Sequence, residues 1–217
     1  MAASVQAEIL FTGTADEKIM ADVMRRLRAE LLDQGMRYFR QDDRDPNQSD
    51  DRLAQKAIMF EDDISPYLMM LEPRFSEREQ YHFVTVLSGS DLDENEVELE
   101  WSRLCDRLDQ MTNAVVPSAV IAWATPTGQE KTPRSRSLAL GEPPLELSIW
   151  CYLSGKILDQ ITMDALGLVK SAKITRSDQG AFIQLGKRPG EPFEGVEGYL
   201  KNNPIFRLFD PMLDRSS

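Results

Sequence analysis

The run ENEVELEWSRLCDRLDQM (94–111) constrains the fold more than any other stretch of this chain. Val97, Trp101, Leu104, Leu108 and Met111 recur at alternating steps of four and three residues, which lays one apolar stripe along an α-helix. Glu96, Glu100, Arg103 and Arg107 are expected to form charge pairs on the other side of the helix. Before it stands YHFVTVLSG (81–89) and after it SAVIAWATP (118–126), both strand-like. A helix with one apolar stripe between two strands has to lie against the sheet those strands enter.

The first residues repeat the theme. AEILFTG (7–13) reads as a strand, and Ile19, Met20, Val23, Leu27 and Leu31 then follow helical spacing. Thr14 and Glu17 have the spacing of a capping box, and Gly35 supplies a stop. MRYFR (36–40) is a candidate second strand. QDDRDPNQSDDR (41–52) holds no apolar residue and reads as an exposed loop. A short helix capped by Ser49 and carrying Leu53, Ala54, Ala57 and Ile58 follows, then an acidic turn EDDIS (61–65) and a strand PYLMMLEP (66–73) bounded by prolines.

Beyond position 126 the segment TGQEKTPRSRSLALGEPP (127–144) is rich in Gly, Pro, Ser and charge, the composition of a long connection or subdomain boundary. LELSIWCYL (145–153) alternates: Leu145, Leu147, Ile149, Cys151 and Leu153 on one side, and Glu146, Ser148, Trp150 and Tyr152 on the other. SGKILDQITMDALGLV (154–169) is a predicted helix, AKITRSDQGAFIQLG (172–186) a predicted hairpin, and Asn203–Pro204 the predicted start of a short helix over 205–209. The expectation is one α+β domain over residues 1–217, with a mixed or antiparallel sheet, or two sheets, covered by amphipathic helices on one side. Its two strand–helix units suggest related halves, and 127–144 is the candidate internal boundary.

Few kinds of chemistry fit these residues. His82 is the only histidine, which excludes sites needing two imidazole ligands. It sits inside an apolar strand, where a hydrogen-bonded structural role is expected. Cys105 and Cys151 fall at apolar helix and strand positions and read as packed thiols. DLDENEVELE (91–100) begins like a calcium loop, but Glu96 stands where that loop needs Gly and Ser102 where it needs Glu. The glycine-rich stretch GKRPGEPFEG (186–195) carries Pro189 and Pro192, which lack amide donors, and Glu191 and Glu194, which oppose an anion. It reads as a stiff exit from the sheet rather than a phosphate cradle. No metal, cofactor or catalytic residue is expected. No apolar run reaches the roughly 18 residues of a membrane span, and MAASVQAEILF lacks the features of a secretory signal, so a cytoplasmic protein is expected.

The formal charge is −11. Residues 1–120 hold 25 Asp and Glu against 13 Lys and Arg, whereas residues 121–217 are nearly balanced. Such a surface repels nucleic acid and complements a basic protein partner. The candidate partner-binding residues are Asp42, Asp43, Asp45, Asp50 and Asp51, with Glu61, Asp62 and Asp63 beside them.

The strand GAFIQLGKRP (180–189), a glycine-containing loop and then YLKNNPIFRLFDPML (199–213) resemble the C-terminal pattern of the type VI secretion immunity families, inhibitors encoded beside polymorphic toxins. The resemblance implies a non-catalytic immunity protein that binds and neutralises one cognate toxin, a basic one if the acidic loops make the contact. Two alternatives stand beside it. One is an enzyme with an unrecognised carboxylate site. The other is a structural or adaptor protein that forms a homodimer through strand 145–153, with Trp150 and Tyr152 at the contact.

Overall fold

The structure is a computed structural model, and it describes residues 2–13, 16–45, 47–76, 81–127, 146–159, 172–191, 207–210 and 212. The predicted boundary 127–144 lies almost wholly outside the described residues, as does most of the helix predicted over 154–169. The fold is α+β. Its sheet has nine strands, and every neighbouring pair in it is antiparallel.

In chain order the elements are β1 (Ala3–Thr12), α1 (Glu17–Asp33), β2 (Arg37–Tyr38), a 3-10 turn (Gln41–Arg44), α2 (Asp50–Gln55), β3 (Ile58–Glu61), β4 (Met69–Ser76), β5 (Tyr81–Ser88), α3 (Glu94–Val115), β6 (Ala119–Pro126), β7 (Glu146–Ser148), β8 (Trp150–Ser154), α4 (Gly155–Leu158), β9 (Lys173–Ser177), β10 (Gly180–Gln184) and β11 (Arg207–Phe209). The large sheet runs β2-β3-β4-β5-β1-β6-β8-β10-β9, and β7 and β11 form a separate parallel pair.

β1 is central. It pairs with β5 from Gln6 to Thr12 and with β6 from Ala3 to Leu10. β5 and β6 are therefore parallel to each other, and α3, which joins them, crosses over β1 to form a split β-α-β unit. The predicted helical stripe is buried as expected: Val97, Trp101, Leu104, Leu108 and Met111 face the sheet with Met20, Val23, Leu27 and Leu31 of α1. Ile19, placed on the α1 stripe by its spacing, is instead 43% exposed. Alternate residues of β1 (Val5, Ala7, Ile9 and Phe11) complete this core, where each large apolar side chain contributes about 1.5–3 kcal/mol. A second apolar cluster on the opposite face of the sheet contains Leu10, Ile121, Trp123, Cys151, Leu153 and Ile183.

Several local expectations are corrected. α1 is capped by Asp16, whose Oδ1 accepts from the Ile19 amide at 2.7 Å; Thr14 lies outside the described residues. Residues 58–61 form strand β3, not the end of a helix, because Ile58 and Phe60 alternate into the core. β4 runs to Ser76, past Pro73, which the proline-bounded reading made its end. The proline is tolerated because β3 pairs only with residues 69–71, so the rest of β4 is a sheet edge on that side. The alternating run 145–153 breaks at Ile149, with β7 in the small sheet and β8 in the large one. Ile149 and Trp150 then enter the same core, which a continuous strand would forbid. Residues Arg207–Phe209, predicted as a helix, are strand β11 pairing with β7.

The hairpin β9–β10 turns at Asp178–Gln179, close to the predicted place. Gly180 follows the turn with its Cα packed against β8. A Cβ there would collide with the Leu153 carbonyl oxygen and come within 2.8 Å of Tyr152 Oη and 2.9 Å of Ser154 Cα. Gly180→Ala should therefore cost about 1–3 kcal/mol, the usual range for overpacking, read as a lower urea midpoint with an unchanged slope.

Candidate interaction surface on the acidic loops

The acidic residues singled out from the sequence occupy two places. Asp42, Asp43 and Asp45 lie in and just after the 3-10 turn, with Asp50 and Asp51 at the start of α2. Glu61 ends β3, and Asp62 and Asp63 follow it. The structure gives them different jobs.

The first loop is organised by a cation that sequence reading passed over. Arg28 of α1 is buried, and its guanidinium donates to Tyr38 Oη at 2.8 Å, to the Asp43 carbonyl at 2.9 Å and to Gln48 Oε1 at 3.3 Å. It also lies over the Tyr38 ring at 5.1 Å. Gln48 Nε2 in turn donates to the Asp42 carbonyl at 2.8 Å. Main-chain carbonyls are thus pulled inward, and the exposed carboxylates of Asp42 and Asp45 are left outside. Asp45 Oδ1 accepts the Asn47 amide at 2.9 Å.

Asp43 is the exception. Its carboxylate is fully buried, 3.4 Å from Lys56 Nζ, and its Oδ2 has no hydrogen-bond partner. Asp50 pairs with Arg25, and Gln55 Nε2 links Asp51 at 2.6 Å to Glu17 at 2.9 Å, so α2 is tied to α1 by these contacts. Asp50 and Asp51 also sit in the first turn of α2, where negative charge is favoured.

The second cluster is more strongly bound to the fold. Asp62 accepts the amides of Ile64 at 2.8 Å and Ser65 at 2.5 Å and pairs with Arg107 of α3. Burial pushes its carboxyl up, but the two amides and the guanidinium outweigh that and hold it below the usual carboxylate value. Beside it Glu100 of α3 is buried and accepts from Ser65 Oγ at 2.8 Å, Ser88 Oγ at 3.1 Å and Arg103 Nη1 at 2.6 Å. Tyr67 Oη donates to Glu96, which raises the Tyr67 hydroxyl to about 12. The stretch 62–67 is therefore pinned to α3. Asp63 pairs with Arg37 across the neighbouring strand end.

Of the eight residues, Asp43 and Asp62 are withdrawn into the fold, and Asp50 and Asp63 are matched by arginines. Asp42, Asp45, Asp51 and Glu61 have no cationic partner among the described residues. Asp42 and Asp45 lie in and just after the turn, and Asp51 lies in the first turn of α2 that follows. Arg28 was not singled out from the sequence, and Glu100 and Arg107, expected only in charge pairs along α3, also hold the 62–65 loop to that helix, a contact that local spacing does not record.

The other candidates resolve as follows. His82 was expected to have a hydrogen-bonded partner, but its ring is buried and stacked on Phe11, with centroids 5.0 Å apart and planes 6° apart, and neither ring nitrogen is bonded. Its ring lines a cavity of about 290 Å³ with Phe11, Ile19, Val23 and Val115. Burial pushes the Cys151 thiol up to about 12, and that of Cys105 is raised as well, by burial and then by Asp109 and Asp106. Asp93, the second acid of the calcium-like run, caps α3 in a reciprocal box with Glu96. The loop at 186–191 is a strap: Arg188 Nη1 donates to Glu98 of α3 at 2.7 Å, and the Gly190 amide donates to Asp210 at 2.9 Å. Its cleft is lined by Glu94, Glu98 and Glu191, which disfavours an anion. Trp150 and Tyr152 are buried, each packed on Phe182, and β8 lies inside the sheet, so these two side chains present no exposed contact surface.

No family model matches the chain, and no curated protein does. Among solved structures, the Pseudomonas aeruginosa T6SS protein PA0821 is similar, with a TM-score of 0.51 and 11% identity, over 94% of this chain and 72% of that chain. At that identity the likeness is one of fold. No described helix is long and apolar enough to cross a membrane.

Two measurements test the electrostatics. Asp62→Asn weakens charge-assisted bonds worth about 1.5–3 kcal/mol. Because the folded-state value of Asp62 is depressed, its contribution is present above pH 3.8 and lost as pH falls through the folded value. The stability gap between variant and parent should thus be open at pH 7 and close on acidification below that point. Burial holds His82 below its ordinary 6.5, against a weaker opposing pull from Asp16. The unfolded chain therefore takes up the proton first, and stability drains away as pH drops below 6.5 toward the folded value. His82→Phe keeps the stack on Phe11 and should lose less stability than the parent between pH 7 and pH 5 in urea titrations.

Proposed function

We propose that this chain is a type VI secretion-associated protein that works by binding rather than catalysis, as an immunity protein that occupies a basic cognate toxin. The observation that carries the reading is the cluster of Asp42, Asp45 and Asp51. Asp42 and Asp45 are exposed on a loop whose backbone is fixed from beneath by Arg28, Asp51 is exposed in the first turn of the adjoining α2, and no cation among the described residues pairs with the three carboxylates. A loop of preset shape and unbalanced negative charge suits recognition of a basic surface, because it steers encounter and loses little entropy on docking.

Two further observations support it. The fold is like that of a T6SS protein, and the C-terminal sequence resembles the immunity families. The buried carboxylates Asp62 and Glu100 are fully engaged in holding the 62–67 loop to α3, so they serve architecture rather than a reaction.

The test uses the protein encoded by the neighbouring reading frame. The triple variant Asp42→Lys, Asp45→Lys, Asp51→Lys should associate at least about tenfold more slowly at low salt, with a flatter dependence on ionic strength. Association at the parental rate, with the parental salt dependence, refutes the assignment of this surface.

A further inference from the structure

The two edges of the nine-stranded sheet are unlike. β2 is two residues long and runs into the 3-10 turn, a length that protects an edge by itself. β9 has five residues and no proline. Lys173, Thr175, Arg176 and Ser177 are exposed, and Ile174 is half-buried against the second apolar cluster.

The direction of its backbone groups follows from the hairpin. Ser177 faces Gly180 across a two-residue turn, and so short a connection makes the closing pair exchange both of its hydrogen bonds. Ser177, Thr175 and Lys173 therefore turn their amides and carbonyls toward β10. The far side of β10 gives the same parity: the Leu185 amide donates to the Ile149 carbonyl at 2.8 Å, and the Gly155 amide to the Gln179 carbonyl at 2.9 Å. Odd-numbered residues of the β10 arm thus bond toward β8, and even-numbered ones toward β9. Ile174 and Arg176 consequently aim their N–H and C=O groups out of the sheet, where no described residue meets them.

We propose that this edge pairs antiparallel with β9 of a second copy, about a two-fold axis at Thr175, joining two sheets into one. That centre sets Ile174 of each copy opposite Arg176 of the other, so every outward amide and carbonyl of the two strands finds a partner. Lys173 falls opposite Ser177, and Thr175 opposite Thr175, with no like charges face to face. The neighbouring registers are worse. A centre at Arg176 sets that arginine against itself, and a centre at Ile174 draws in Ala172, which lies outside β9. A foreign strand has no such match in its favour, because the surrounding charge is mixed: Lys173 acts on Asp109 of α3, and Asp178 stands in the turn beside Arg176. β9 lies at the opposite end of the sheet from the acidic loops, so this pairing and the toxin-binding reading fail separately.

A five-residue edge buries less than the roughly 1,200 Å² of a standard stable interface, so the pairing is weak and driven by concentration. Sedimentation velocity on the full chain should show the weight-average mass rising toward twofold as concentration is raised from about 5 μM to about 1 mM. Ile174→Pro removes one outward amide and leaves the inward ladder with β10 in place, a change that edge strands accept. It should stay folded and monomeric over the whole range, with its urea midpoint lowered only by the loss of the half-buried Ile174 side chain. Arg176→Pro, which removes the other outward amide, serves if the first variant does not fold. A parent chain that remains monomeric at the highest concentration overturns the proposal, and so does a folded proline variant that associates as the parent does.

Discussion

β1 is the strand on which everything else hangs. It is bonded along nearly its whole length on both sides, to β5 and to β6, and its odd-numbered residues line the main apolar cluster while Leu10 on its other face joins the second. Because β5 and β6 flank it in parallel, α3 has to cross it, and that crossing lays Trp101, Leu104 and Leu108 over the middle of the sheet. α1 then packs beside α3 on the same face. One central strand with both faces buried thus fixes the position of both long helices, and through them the loops those helices hold.

The abundance of carboxylates in this chain is not a single property. Asp62 and Glu100 are buried with hydroxyl, amide and guanidinium partners, and they fasten a loop to a helix; losing one partner of such a set is costly because the other is left unpaired in a low dielectric. Asp50 and Asp63 form exposed ion pairs, each worth little. Asp42, Asp45 and Asp51 do neither. The same residue type therefore builds the loops and supplies their charge, and the division is made by Arg28 and α3. A net charge of −11 would not by itself have told one group from the other.

The sheet is also asymmetric in what it shows to the surroundings. At the β2 end the acidic turn follows the edge strand directly, and the toxin contact proposed there depends on side-chain charge. At the β9 end no described strand pairs with the outer margin, and the self-pairing proposed there depends on register. The two proposed contacts thus lie at opposite ends of the sheet.

The sequence by itself determined the parts whose signal is periodic. The stripe of α3, the body of α1, the strands over 81–88 and 119–126 and the β9–β10 hairpin were all legible, because each follows from side chains a few residues apart. The α+β class was legible from their order. Tertiary structure decided the rest. The change of sheet at Ile149, β3 in place of a helix end and β11 in place of a helix depend on partners far away in the chain, which local propensity does not record. His82 looked like a residue with a bonded partner and became one stacked in apolar surroundings for the same reason. Which acids stay in solvent was settled last of all, since a carboxylate's fate depends on whether folding brings an arginine or an amide to it, and composition carries no information about that distance.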